Sequence, residues 1–356
     1  MAIDITTQKI LVTGASGSLG KQLLYELTKY GVKPVAHVRE TSDTNYIDSL
    51  NLEKRIADLR SPNDIDRLVD GIDLIIHTAA WVNFRQDRLT QFTGLNTFGA
   101  VNLFNAARKA KVKRFVHVST IAAIGAIRRE FDNINKNRAN ILIDEKSEFN
   151  LGHLQIPYIM TKHAAEDELE KVKTDNSTEL VIVNPSIIVA PSSTGSDREK
   201  AMRLFNKIIF PYRSNRVNLV DIRDIAPAII TALEKGRPGQ RYIFAGDNIT
   251  VKDLALAVSA ILGKTPHLVR FPRYLYNFAA NFSALYGKLL GRGKVSFYPD
   301  LVKMFDYDWA YSSAKARKEL DYKSRSIYET LQDLLTNNFT GSYMKPENNS
   351  KHSNRT

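Results

Sequence analysis

Tyr158 and Lys162, in the run Tyr158-Ile159-Met160-Thr161-Lys162, carry the strongest chemical signal in the chain. A separation of four places both side chains on one face of a helix. A phenol with an unperturbed pKa near ~10 is a poor proton donor or acceptor at neutral pH unless a fixed cation stabilises its phenolate. Lys162 supplies that cation, so the pair is equipped to exchange a proton with a reacting oxygen. The plain alternative is a surface Tyr and Lys on an ordinary helix, because Tyr-x-x-x-Lys is a common string. Context decides between them.

That context comes from Thr13-Gly14-Ala15-Ser16-Gly17-Ser18-Leu19-Gly20, which follows a β-branched run directly and leads into a helical pattern. In such a setting glycines let the backbone approach a pyrophosphate at a helix N-terminus. Gly14 would permit the tight turn, Gly17 the approach of phosphate, and Gly20 close packing of helix on sheet. Ser16, Ser18 and Leu19 belong to the same candidate loop. Other chemistries lack their equipment: there is no Gly-x-Ser-x-Gly elbow and no His-Glu-x-x-His, and the histidines are dispersed without ligand spacing. No metal site is expected, and His77, His117 and His163 read as structural. Zero cysteines exclude disulfides, thiolate metal sites and cysteine nucleophiles. Redox chemistry, if present, must come from a cofactor.

Short apolar runs alternate with helical periods through the first half of the chain: Lys9–Thr13, Val35–Val38, Leu74–Thr78, Arg114–Ser119 and Leu180–Asn184. Strands covered on both faces are apolar throughout and lack strict alternation. Between the first two, Leu19, Leu23, Leu27 and Tyr30 fall on one helical face, and 96–110 forms a second amphipathic crossover. The predicted fold class is α/β, a Rossmann-type doubly wound parallel sheet. After Pro191 the rhythm changes to a polar, basic stretch and then short elements, with capping-box-like starts at Thr250-x-x-Asp253 and Ser326-x-x-Glu329. The expected organisation is a dinucleotide-binding domain over 1–190 and a smaller, partly helical substrate lobe over 191–340, some of whose segments return to the main sheet. Residues 341–356, rich in Asn, Ser and Lys, read as a disordered tail.

The formal net charge of the 356 residues is +12. Because the basic residues are interspersed with acids and no nucleic-acid motif accompanies them, a solvated basic surface is expected, with no nucleic-acid partner and at most weak contact with an anionic membrane surface. The N-terminus lacks the basic and apolar regions of a secretory signal, which predicts a cytoplasmic location. The most lipid-like stretch, 271–290, is interrupted by Arg273, Asn277, Asn281 and Lys288 and reads as an amphipathic helix, not a transmembrane segment.

The Gly-x-x-Gly-x-x-Gly spacing of the loop resembles that of the short-chain dehydrogenase/reductase family. Asp58-Leu59, His77-Thr78-Ala79-Ala80 and Asn96 extend the resemblance in order, and Asn184–Pro191 and Val220–Ala226 carry it to about residues 8 to 335. It is closest to the extended type, the NAD-dependent epimerase/dehydratase family, in the branch containing dihydroflavonol reductases and 3β-hydroxysteroid dehydrogenases. The resemblance implies a nicotinamide-dependent enzyme acting on a small-molecule substrate, and allows a homodimer. It implies that Asp58 meets the adenine, that Leu59, Thr78, Ala79, Ala80, Asn96 and Pro185 line the cofactor, and that Lys162 binds the nicotinamide ribose while Tyr158 exchanges the proton. The turn Val118–Gly125 matches the family's hydroxyl-bearing turn. Counting back from Gly125 favours Thr120 as the group that holds the substrate oxygen, with Ser119 as the other candidate.

Arg39 ends the second strand where NAD-preferring relatives place an acid that accepts from the ribose 2′-hydroxyl. Its planar fork suits a 2′-phosphate, so NADP(H) is the expected cofactor, with NAD(H) as the alternative and Glu40 as a complication. Sugar-nucleotide dehydratases of the family follow the catalytic hydroxyl with an acidic pair; here Ile121 and Ala122 follow Thr120. Arg216-Val217-Asn218-Leu219 lacks the Asp and aromatic of a diphosphate-binding run, leaving Arg203, Arg213 or Arg216 to improvise one. Aromatic residues from Phe271 to Tyr286 are consistent with a lid over an apolar pocket, or equally with core. The expectation is oxidoreduction of a small or lipid-like, largely apolar carbonyl or alcohol. The alternatives are a nucleotide-sugar epimerase or dehydratase, and a non-catalytic NADP-sensing protein. Asn184 stands where many members carry Arg, which leaves the local substrate contacts open.

Overall fold

The computed structural model describes residues 2–82, 89–128, 141–173, 178–192, 196–205, 210–212, 215–270 and 303–344. Its strands in chain order are β1 (Ile10–Thr13), β2 (Val35–Val38), β3 (Lys54–Ile56), β4 (Leu74–His77), β5 (Arg114–Val118), β6 (Ile127–Arg128), β7 (Glu179–Pro185), β8 (Ile187–Val189), β9 (Phe210–Tyr212), β10 (Arg216–Asp221), β11 (Gln240–Phe244), β12 (Asp247–Thr250), β13 (Leu268–Arg270) and β14 (Tyr307–Asp308). Seven of them form one sheet in the order β11-β7-β5-β4-β1-β2-β3. Every pairing in it is parallel. The chain winds outward from β1 to β3, then returns to place β4 on the other side of β1. In open sheets of this kind ligands bind at such a reversal, here beyond the carboxyl ends of β1 and β4.

The reason these runs fold as buried strands is visible in the two cores. Ile10 and Val12 of β1 face one side, with Leu23, Leu24 and Leu27 from the helix Ser18–Lys29 and Ile229, Ile230 and Leu233 from the helix Ile222–Lys235. Leu11, between them, faces the other side with Leu103, Phe104 and Ala107 from the helix Ala100–Lys109 and Leu169 from the helix Pro157–Val172. Residues on both faces of a pleated strand are thus apolar because helices cover both faces. Tyr30, expected on the buried stripe of the first helix, is its exposed C-cap instead.

The smaller lobe is a three-stranded sheet, β12-β10-β8, packed against the helices Val251–Leu262 and Ile327–Leu335. Thr250 caps the first of these by accepting from Asp253 N at 3.0 Å and donating to its carboxylate at 2.6 Å. Ser326 caps the second through Tyr328 N, not through the residue at Glu329. The chain crosses back after residue 190, since the helix Ile222–Lys235 covers the main sheet and β11 extends its edge beside β7.

The assignment of a tail from residue 341 needs correction. Gln22, fully buried, donates to Gly341 O at 3.2 Å and accepts from Tyr343 N at 3.1 Å. Tyr343 meets Tyr46 edge-on at 5.7 Å between ring centroids. These contacts offset the ordering cost that composition alone leaves unbalanced. Residues 345–356 lie outside the described part, as do the aromatic stretch 271–286 and Arg213. No helix among the described residues is long and apolar enough to cross a membrane.

Candidate active site

The loop after β1 turns through Gly14 at φ +69°, a left-handed conformation that favours glycine. A Cβ there would stand 2.9 Å from the Ala79 backbone, and one at Gly20 would stand 2.3 Å from Gly14 O. Only hydrogen lets the helix Ser18–Lys29 close onto the loop that its N-terminus faces. Gly17 N donates to Gly14 O at 3.0 Å and caps the turn. Thr13 ties this loop to the end of β4: its carbonyl accepts from the Thr78 hydroxyl at 2.6 Å, and its own hydroxyl accepts from Ala79 N at 3.3 Å. Gly14, Gly17, Gly20, Thr78 and Ala79 are therefore brought together at the carboxyl ends of β1 and β4.

His37 supports the same loop and was not singled out from sequence. Gly14 N donates to its Nδ1 at 3.4 Å and its Nε2 donates to Ala57 O at 3.1 Å, which fixes one neutral tautomer. Burial pushes its pKa down. Just beyond, Ser42 gathers the loop ends: its hydroxyl accepts from Arg39 N at 3.1 Å and from the Ser16 hydroxyl at 3.3 Å. Arg39 is exposed. Asp58 accepts from Arg60 Nε at 2.9 Å and Nη2 at 2.6 Å, and this guanidinium holds its carboxyl below the usual range. Leu59, buried, lies against Gly99.

Asn96 sits in a π-helical turn, Thr93–Gly99, of the kind that often marks functional sites. Its side chain is buried, accepting from Trp81 N at 2.7 Å and donating to Trp81 O at 3.1 Å and to the Thr161 hydroxyl at 3.2 Å. It thus clamps the segment after Ala80 onto the helix that carries Tyr158 and Lys162.

Tyr158 and Lys162 lie within the helix Pro157–Val172, which starts with Pro at its first position. The Tyr158 phenol and the Thr120 hydroxyl are neighbours; burial raises the pKa of the phenol and its interaction with Thr120 opposes the rise. Lys162 is 2% exposed and donates to Val118 O at 2.8 Å. Burial draws it down to about 8, with the charge of Glu166 pulling the other way. Thr120 also accepts from Ala122 N at 3.3 Å, which fixes the turn after β5. Of the two hydroxyl candidates, the structure brings Thr120 to Tyr158. Ser119 donates its backbone N–H to Val183 O, and its hydroxyl is buried without a protein partner among the described residues.

Behind these groups lies an arrangement that the sequence did not suggest. Asn184 Nδ2 donates to Thr120 O at 2.9 Å and to Glu166 Oε1 at 2.7 Å. Arg241 Nη2, from β11, lies 2.5 Å from Glu166 Oε2 in a charge contact without hydrogen-bond alignment. A guanidinium from the neighbouring strand thus stands against the carboxylate that Asn184 bonds. His77 and His117 stack at 5.4 Å between centroids beneath the site, both fully buried and held neutral by burial.

Tyr158 and Met304 pack against an apolar cluster that includes Ile121, Ala122, Ile124 and Trp309. Arg216, the described candidate for a diphosphate clamp, is engaged elsewhere: its backbone N–H donates to Asp308 at 2.8 Å and its guanidinium faces the same carboxylate at 3.4 Å. The side chain of Arg203 lies outside the described part.

The glycine cradle and the orphaned hydroxyls of Ser119 and Ser186 fit a dinucleotide with a polar nicotinamide end. Comparison with known proteins agrees. The chain is 28% identical over 336 residues to sterol demethylase protein B of Methylococcus capsulatus, covering 91% of this chain and 96% of that one. It is 28% identical over 335 residues to a putative dihydroflavonol 4-reductase of Synechocystis, covering 91% and 92%. It is 26% identical over 301 residues to UDP-glucose 4-epimerase of Vibrio cholerae, covering 81% and 84%. The solved structure of gox2253 superposes with a TM-score of 0.75 at 27% identity, over 93% of this chain and 97% of that one. With residues 10–245 matching its model, this chain belongs to the NAD dependent epimerase/dehydratase family, as a short-chain dehydrogenase/reductase-type enzyme that uses a nicotinamide cofactor.

Proposed function

We propose that this enzyme interconverts a carbonyl and a secondary alcohol on a largely apolar substrate with NADP(H). The observation that carries the reading is the Tyr158 phenol beside Thr120, with Lys162 buried one helical turn along the same helix and an apolar cluster against the Tyr158 ring. When bound, the nicotinamide supplies or accepts a hydride. Thr120 holds the substrate oxygen beside Tyr158. The phenol, kept protonated by burial, gives its proton to that oxygen as it becomes an alcohol, and takes one back in the reverse direction. Lys162 is the cation that stabilises the phenolate left behind, and it holds the ribose hydroxyls. Gly14, Ser16, Gly17, Ser18, Leu19 and Gly20 hold the pyrophosphate, with Asp58, Leu59, Ala80, Asn96 and Pro185 along the remaining length.

NADP(H) preference rests on Arg39, an exposed planar cation at the end of β2 whose backbone N–H bonds the same Ser42 hydroxyl that the Ser16 hydroxyl meets. The apolar substrate class rests on the cluster around Tyr158 and on the engagement of Arg216 with Asp308. Two of the relatives, by their names, act on sterols or flavonoids, and a third is a sugar-nucleotide epimerase. The epimerase relative keeps a second reading in play, on the same fold and the same catalytic pair. Incubation with NADPH and a panel of hydrophobic ketones, aldehydes and UDP- or dTDP-sugars tests the choice. Loss of cofactor absorbance with a hydrophobic carbonyl supports the reading; turnover of a sugar with no net cofactor change overturns it.

A further inference from the structure

We propose that Glu166, outside the Thr120/Tyr158/Lys162 group, positions that group: its carboxylate is the counter-charge to Lys162 and, through Asn184, it tethers the strand end that carries Thr120. Arg241 is the cation that holds Glu166 in place. The inference rests on the catalytic reading above but extends it to three residues with no role in that reading.

Glu166 follows Lys162 by four residues on the same helix, which brings the two side chains to one face. It is 0% exposed, and its two oxygens are divided between the Asn184 carboxamide and the Arg241 guanidinium. The second hydrogen of the same carboxamide nitrogen reaches Thr120 O, so one side chain links the helix bearing Lys162 to the turn bearing Thr120. A buried ion pair is weak evidence for stability, because apolar residues of equal volume would hold the fold as well. Apolar residues would not place a negative charge one turn from Lys162, nor accept from Asn184.

The groups facing Lys162 make that charge consequential. On its own helix they are Tyr158 and Glu166; from β4 and β5 come His77 and His117, both neutral through burial and both in the field of the lysine. Arg241 stands behind Glu166 on β11. Of these, Glu166 is the anion, so the cationic form of Lys162 depends on it.

The test is a titration of the cofactor-free full chain carrying ε-¹³C-labelled lysine, with Lys162→Met identifying the signal. Glu166→Gln removes the charge and retains an acceptor for Asn184; it should lower the Lys162 midpoint by about one pH unit, the low end of what an adjacent opposite charge contributes. The alkaline limb of kcat should move down with it. Glu166→Leu removes the tether as well and should lower kcat about tenfold further at a pH where Lys162 is still charged. If either single variant fails to fold, Glu166→Gln/Arg241→Met removes both charges together and should lower the midpoint in the same direction by less, because the cation removed with the carboxylate lies behind it as seen from Lys162. A Lys162 midpoint unchanged by Glu166→Gln or by the double variant overturns the proposal, even with a lowered melting temperature, because that is what a merely structural pair would give. The NMR readout needs no substrate, so a protein inactive toward carbonyls would end the functional reading while leaving this result to stand.

Discussion

Replacing Lys162 by Met should make the protein more stable at neutral pH while abolishing its chemistry. Burial draws Lys162 from an ordinary lysine's 10.5 to about 8. Between those two values the unfolded chain holds a proton that the folded chain has released, so stability rises with pH across the window from about 8 to 10.5. Below it both states are protonated, and the folded state carries the full cost of a buried ammonium. At ~1.4 kcal/mol per pH unit of displacement, that cost is about 3 kcal/mol. Methionine fills a similar volume without the charge. It also leaves Val118 O, which accepts from Lys162 at 2.8 Å, without its donor, returning about 1 kcal/mol. The expected net gain is about 2 kcal/mol at pH 7, vanishing by about pH 10. Urea unfolding of the cofactor-free proteins at both pH values measures it through the midpoint and slope. A variant less stable than the parent at pH 7, or a difference that does not change with pH, would refute the reasoning.

Thr120→Val removes the hydroxyl beside Tyr158 and should lower kcat by roughly 10- to 100-fold, the range of a hydrogen bond to a charged or reacting group, with NADPH affinity measured by titration little changed. Arg39→Ala should cut the ratio of NADP(H) to NAD(H) affinity by roughly 10- to 100-fold; an unchanged ratio in parallel titrations removes Arg39 from cofactor choice. Gly20→Ala brings a methyl within 2.3 Å of Gly14 O and 2.7 Å of Ala15 Cα, and should cost about 1–3 kcal/mol in urea unfolding along with weakened NADPH binding.

The sequence was most legible where a pattern repeats and least where two distant segments meet. Both-sides-apolar runs such as Ile10–Thr13 announce a buried parallel strand, and the loop that follows has to bring helix and phosphate close, so Gly14 and Gly20 were readable from spacing. The Tyr158/Lys162 pair was readable because four residues is one helical turn. Arg241 was not, because its pairing with Glu166 exists only once β11 joins the sheet beside β7. His37 was missed for a similar reason: its partners, Gly14 N and Ala57 O, belong to two other loops. Asn96 was found through the resemblance, but its carboxamide serves as a clamp on Trp81 and Thr161, which a position in an alignment does not reveal. Composition misplaced the start of the tail because it sees the polar character of Gly341–Tyr343 and not the buried Gln22 that bonds them.

The most direct test of the central claim uses NADPH deuterated at the transferable position, a hydrophobic ketone that the enzyme turns over, and the parent protein beside Tyr158→Phe. Deuterium should appear on the carbinol carbon of the product with the parent. With Tyr158→Phe the rate should fall by at least ~10²-fold, the lower end for loss of a general acid, while NADPH binding is retained. Deuterium transfer by Tyr158→Phe at close to the parent rate, or product formed by the parent without deuterium at that carbon, would contradict the account.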